Sequence, residues 1–193
     1  MIKTANRAGA RRSQGGATLI EVLVSLVILM LGLLGLVGVM IQSQRSQVES
    51  YQRVQALLLV QDMAARLNAN KEVAVCYALA GFLGTGNTTV PATTACTVGT
   101  GDQRLRVTND LTEWRDLLLG SAELSGGGDQ VGAVLAARGC ITRSVSDLYQ
   151  VSIAWQGAGA TAAPPAGVPC AQGQYGDDAA RRAVSVTVQL GTL

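Results

Sequence analysis

The chain has 193 residues, 15 Lys and Arg against 13 Asp and Glu, and no histidine. The missing imidazole excludes Ser-His-Asp and Cys-His catalysis and most zinc sites, and the near-balanced charge does not supply the dense cations of a general nucleic-acid binder. The balance is uneven: Lys3, Arg7, Arg11 and Arg12 give the first 16 residues a charge of +4 with no acid, while the rest carries −2.

The first element is an apolar run from Leu19 to Ile41, 23 residues whose only charge is Glu21. As a helix rising about 1.5 Å per residue it reaches about 35 Å, enough to cross a hydrocarbon core of about 30 Å. The basic flank lies before it, which predicts residues 1–16 in the cytoplasm and the remainder exported. A secretory signal has a shorter apolar core and a small-residue cut site after it; here no alanine falls between Ala17 and Ala56. A plain anchor leaves Glu21 unexplained, because a carboxylate at the bilayer centre costs about 2.5–3.5 kcal/mol. Gly32, Gly35 and Gly38 interrupt the run. In lipid, small residues let helices approach closely.

The helix is predicted to continue through residues 42–70, which hold no proline or glycine and are dominated by good helix formers. Two apolar stripes recur there at helical spacing. Val48, Tyr51, Val54 and Leu58 form one, and Ala56, Val60, Met63 and Leu67 the other, on roughly opposite faces. The favoured reading gives the first stripe to neighbouring subunits and the second to the chain's own sheet; the alternative is one core wrapped around the helix.

Residues 71–193 read as a globular domain. Residues 72–84 are ambiguous between helix and loop, and residues 84–101 are loop by composition. Asn87-Thr88-Thr89 matches a glycosylation sequon, a weak signal. Residues 102–120 predict a second helix with Leu111, Trp114, Leu118 and Leu119 as apolar positions, followed by a glycine turn over 125–129. Residues 131–137 and 139–143 are candidate strands. Residues 149–155 alternate, with Tyr149, Val151, Ile153 and Trp155 on one face and Gln150, Ser152 and Ala154 on the other. Residues 184–190 alternate as well, with Val184, Val186, Val188 and Leu190 against Ser185, Thr187 and Gln189. Period two predicts half-buried antiparallel strands.

The four cysteines, Cys76, Cys96, Cys140 and Cys170, form no C-x-x-C pair and read as two disulfides in an oxidising compartment. Three pairings are open. The favoured one joins Cys76 to Cys96 and Cys140 to Cys170, closing two loops for roughly 3 kcal/mol each.

Gly16-Ala17-Thr18-Leu19-Ile20-Glu21, behind a basic leader and before the apolar run, resembles the cleavage motif of type IV prepilins and their relatives. The resemblance implies that a prepilin peptidase cuts between Gly16 and Ala17 and that Ala17, where the family usually has phenylalanine, becomes the N-methylated first residue. Glu21 then becomes the fifth, the position of the family's glutamate. It implies that Glu21 sets assembly register by pairing with the amine of a neighbouring subunit.

The expected fold is α+β, a pilin fold with a long N-terminal helix on a small antiparallel sheet. Its expected divisions are a leader (1–16), a transmembrane and assembly half of the helix (17–41), a periplasmic amphipathic half (42–70) and a globular domain (71–193). The implied role is a minor pilin without catalysis, in the inner membrane and then the pilus, supporting adhesion and twitching motility. Its implied partners are other minor pilins, the major pilin, the peptidase and the inner-membrane assembly platform. No metal, cofactor or nucleic acid is expected. The nearest rival is a pseudopilin of a type II secretion system. A DNA-binding competence pilin would need a basic patch, for which only Arg181-Arg182 is a candidate, and these read as a solvated turn with Asp177 and Asp178. A tethered enzyme has only Lys71 and the Asp177-Asp178 pair to draw on.

Overall fold

The structure is a computed structural model that describes residues 16–121, 126, 134–144 and 147–191. The chain divides into two compact units, Met1–Gln44 and Arg45–Leu193. One helix, α1 (Leu19–Ala69), contributes to both.

In the first unit α1 passes without a break through Gly32, Gly35 and Gly38, and a Cβ added at any of the three would meet open space. Its large apolar side chains are all exposed, by 48% at Ile41 to 79% at Leu19. Length and composition suit this segment to crossing a membrane.

The second unit is α+β. After α1 come a kinked 3-10 segment (Lys71–Tyr77), β1 (Leu83–Gly84), a 3-10 turn (Thr93–Ala95), α2 (Gly101–Leu118), β2 (Arg138–Arg143), β3 (Leu148–Gln156), a 3-10 turn (Asp178–Ala180) and β4 (Arg181–Gln189). The strands form one antiparallel sheet in the order β1-β2-β3-β4. Register places Ile141, Val151 and Val186 side by side on one face, and Cys140, Ser152 and Ser185 on the other.

The main core lies between the first face and the helices. Val60, Met63 and Leu67 of α1 join Val107, Leu111, Trp114 and Leu118 of α2 and Tyr149, Val151 and Ile153 of β3. α2 starts where Thr100 and Gln103 cap each other: Gln103 N–H donates to Thr100 Oγ1 (3.2 Å) and Thr100 N–H to Gln103 Oε1 (2.8 Å). That arrangement satisfies two backbone donors the helix would leave unpaired. Trp114 donates its indole N–H to the Leu59 carbonyl of α1 (3.0 Å). Its ring approaches β2 closely because position 139 is glycine; a Cβ there would sit 2.3 Å from the ring.

Several expectations change. The second helix spans Gly101–Leu118 rather than 102–120, and Leu119 is only half-buried while Val107 is buried. Of the candidate strand 131–137, residues 131–133 lie outside the described residues. Residues 134–137 make a turn with Ala136 at φ 53°. Most of the glycine turn over 125–129 also lies outside the described residues; Gly126 is an exposed turn.

The back of β3 is not solvated. Ser152 and Ala154 are buried, because the segment after β3 folds over them. A second core of Cys140, Ala154, Cys170 and Ala171 lies there with Phe82, Tyr175 and Ala183. Tyr175 lies with its hydroxyl 2.9 Å from the carbonyls of Ala136 and Ala154 and stacks on the Arg138 guanidinium at 4.5 Å.

Candidate assembly interface

The processing motif occupies the entry to α1. Gly16, Ala17 and Thr18 are exposed and non-helical, and the helix begins at Leu19. Thr18 is its N-terminal cap: its carbonyl accepts from the N–H groups of Glu21 (3.1 Å) and Val22 (3.2 Å), and its Oγ1 from Glu21 N–H (3.4 Å). Thr-x-x-Glu is the capping-box spacing, a signal the sequence carried and the resemblance overshadowed. Glu21 is therefore in the first turn, where the helix dipole favours a carboxylate. Its side chain is exposed, and among the described residues no base pairs with it. The Gly16–Ala17 bond lies between two exposed residues, ahead of the helix start at Leu19.

In the second unit, the two stripes of α1 have opposite fates. Ala56, Val60, Met63 and Leu67 are fully buried, whereas Val48, Tyr51, Val54 and Leu58 are 54%, 55%, 53% and 61% exposed. Among the described residues the core therefore covers one stripe and does not wrap the helix.

Ion pairs fix the buried side. Arg66 reaches Asp62 (2.9 Å) on its own helix and Asp110 (3.1 Å) and Glu113 (2.6 Å) on α2. Tyr77 donates its hydroxyl to Asp110 as well, and burial followed by that carboxylate pushes its pKa well above the ordinary tyrosine range. Arg182 of β4 pairs with Glu49 of α1, 133 residues away. Sequence offers no signal for that contact.

The arginine pair is not a solvated turn. Arg181 and Arg182 are adjacent in β4 and so point to opposite faces. Arg181 is 1% exposed and held by Asp178 (2.6 and 2.9 Å) and the carbonyls of Val168 (2.7 Å) and Cys170 (3.2 Å). That pairing draws the Asp178 pKa below the usual carboxylate range. Both cations are engaged, which leaves no basic patch at this site.

The disulfides are Cys76–Cys96 and Cys140–Cys170, with Cα separations of 5.5 and 5.7 Å. The first ties the 3-10 segment to the loop before α2, and the second ties the back-face segment to β2. The Asn87 side-chain amide donates to the Phe82 carbonyl (2.7 Å), so its nitrogen is engaged within the turn. Among the described residues, no group of three or more Cys, Asp or Glu is arranged to hold a metal.

Residues 11–37 match the family description "Prokaryotic N-terminal methylation motif". The motif marks a type IV pilin-like or pseudopilin-like chain. It brings Gly16, Ala17, Glu21 and most of the exposed apolar helix into one matched segment, and it implies processing by a prepilin peptidase and assembly into a pilus-like system. No curated protein and no solved structure matches the chain. The globular unit is thus characterised by its geometry alone.

Proposed function

We propose that this chain is a minor pilin of a type IV pilus, most similar to the PilV type, a structural and non-catalytic subunit. It is cut between Gly16 and Ala17 and methylated at Ala17. It waits in the inner membrane with residues 42–193 in the periplasm, then enters the fibre at or near its tip. There it primes assembly and supports adhesion and twitching motility. The observation that carries this reading is the match over residues 11–37 at the head of a helix that exposes apolar side chains from Leu19 to Ile41 and again at Val48, Tyr51, Val54 and Leu58.

The chemistry of assembly follows from these residues. Cleavage places a cationic amine at Ala17, four residues before Glu21. Within the membrane the two charges offset each other. In a fibre Glu21 meets the amine of the next subunit, and a carboxylate-amine pair in low dielectric specifies register more than it adds stability. Other minor pilins and the major pilin cover the Val48, Tyr51, Val54 and Leu58 stripe, and the inner-membrane platform drives insertion. The PilV likeness rests on residues 17–40, ATLIEVLVSLVILMLGLLGLVGVM, and further on Trp114, on Arg138-Gly139-Cys140-Ile141-Thr142 and on the Tyr149–Trp155 strand. A minor pseudopilin of a type II secretion system is the second reading, favoured by the fact that the matched segment is common to both systems.

The deciding experiment is deletion of the gene, with complementation by the wild-type chain or by Glu21→Ala. Loss of surface fibres, restored by wild type but not by Glu21→Ala at equal membrane levels, is expected. Intact fibres with blocked exoprotein release would select the pseudopilin instead. Intact mass measurement of the assembled chain is expected to begin at methylated Ala17.

A further inference from the structure

A cavity of about 480 Å³ lies within the second unit. None of the exposed stripe residues lines it. α1 supplies Ser46, Glu49, Ser50 and Arg53, which recur at 3 and 4 and so share one face of the helix. The sheet supplies Trp155 of β3 and Arg182 of β4, which stand opposite each other in the register.

Two features of these walls are left unmatched. The first is a buried donor. Trp114 gives its indole N–H to the Leu59 carbonyl (3.0 Å), whereas Trp155 is 2% exposed and its buried indole N–H finds no acceptor among the described residues. A buried donor without a partner is costly and uncommon in a native fold. The second is charge. Arg182 is tied down, donating to Glu49 and to the carbonyls of Ala179 (3.1 Å) and Gly159 (2.9 Å). Arg53 is exposed, and no acid among the described residues pairs with it. Two guanidinium groups against the one carboxylate of Glu49 leave these walls with one positive charge in excess.

We propose that this cavity is a carboxylate-binding site, in which one carboxylate accepts hydrogen bonds from the Arg53 guanidinium and the Trp155 indole N–H. The single excess charge matches a monoanion. The planar fork of a guanidinium matches the two oxygens of a carboxylate. A phosphate dianion would bring more negative charge than the walls offset, beside Glu49. The exposed hydroxyls of Ser46 and Ser50 offer further donors at the rim.

The indole N–H is shielded from solvent, so a ligand oxygen reaches it only when a wall side chain shifts. Arg53 is the long side chain of the wall that no acid among the described residues holds, and it moves onto a carboxylate without breaking an ion pair. The carboxylate has two possible sources, a free small acid or an Asp or Glu side chain of a neighbouring subunit. The second source rests on the assembly reading proposed above.

The test follows the two indole N–H resonances of the full chain in detergent micelles by nitrogen-15 NMR, assigned with Trp155→Phe. Sodium acetate replaces sodium chloride at constant ionic strength. The expected result is a saturable shift of the Trp155 resonance with Trp114 unmoved, and an apparent acetate affinity about tenfold weaker in Arg53→Gln. Sodium phosphate is run in parallel, and a Trp155 shift at lower concentration than acetate requires would overturn the choice of carboxylate. The subunit source is read in isolated fibres carrying Arg53→Lys, treated with a carbodiimide that joins an amine to an adjacent carboxylate as an amide. Adducts from position 53 to an Asp or Glu of another chain, with acetate too weak to shift Trp155, support the site with a subunit as the source. An acetate shift without adducts supports it with a free acid. No Trp155 shift and no adduct, or a shift that Arg53→Gln leaves unaltered, would overturn the proposal. Absence of the chain from fibres overturns the assembly reading instead, and the acetate titration then decides the site alone.

Discussion

The two stripes of α1 are built from the same kinds of residue, within the same five turns of helix, yet one is sealed and the other is bare. Leu67 is fully buried and Leu58, nine positions earlier, is 61% exposed. The difference lies in what faces each stripe: α2 and the sheet on one side, and none of the described residues' core on the other. Apolar content alone therefore says how much surface a helix must hide, while the opposition of stripes says how many separate bodies must hide it. Substitutions on the two stripes should consequently divide between folding and assembly.

The sharpest separation comes from leucine truncation. Leu67→Ala should destabilise the full chain in detergent by about 2–5 kcal/mol in chemical denaturation, through lost burial and the cavity left behind. Leu58→Ala should change stability by less than about 0.5 kcal/mol and instead reduce incorporation into fibres. Equal losses of stability from both would break the comparison.

Removing the Cys140–Cys170 link by a double alanine substitution should cost roughly 3 kcal/mol, with loosening confined to the back-face segment in hydrogen exchange. Because that segment lies on the side of the sheet away from α1, fibre incorporation of the folded fraction should be unaffected.

Gly139→Ala probes the buried side at finer grain. Its Cβ would fall 2.3 Å from the Trp114 ring, and overpacking of this kind costs about 1–3 kcal/mol. The tryptophan fluorescence should shift with it.

The smallest effect is one of pH. Burial, and then Asp110, hold the Tyr77 pKa above its ordinary value. Between the unfolded and folded values the native state binds the extra proton, so stability falls as pH rises above the normal tyrosine range. Tyr77→Phe should flatten that alkaline slope, measured by thermal unfolding across the range. Leu58→Ala should leave the slope unchanged.

Much of this was legible beforehand because it repeats. The long helix, its two stripes and the alternation at 149–155 and 184–190 each present a period that one element satisfies. The features that were not legible lack a period or depend on distant chain. Leu83–Gly84 is too short to alternate. Ser152 and Ala154 read as a solvated face because the Gly-, Ala- and Pro-rich segment that covers them carries no secondary-structure signal. The continuous apolar run before β2 suits a strand, yet its described part turns at Ala136. Arg182 looked like a partner of its neighbours in sequence and instead pairs with Glu49. At the candidate interface, Gly16, Ala17 and Glu21 stood out through their spacing, while the cap at Thr18 was hidden inside the same six letters.

That cap has a consequence for timing. Thr18 lies on the retained side of the proposed cut, as does every hydrogen bond described at the head of α1. A chain severed there would lose a cationic tail and gain an amine without unwinding a single turn. Maturation would then be a purely electrical event, changing what the rod attracts while leaving its form untouched.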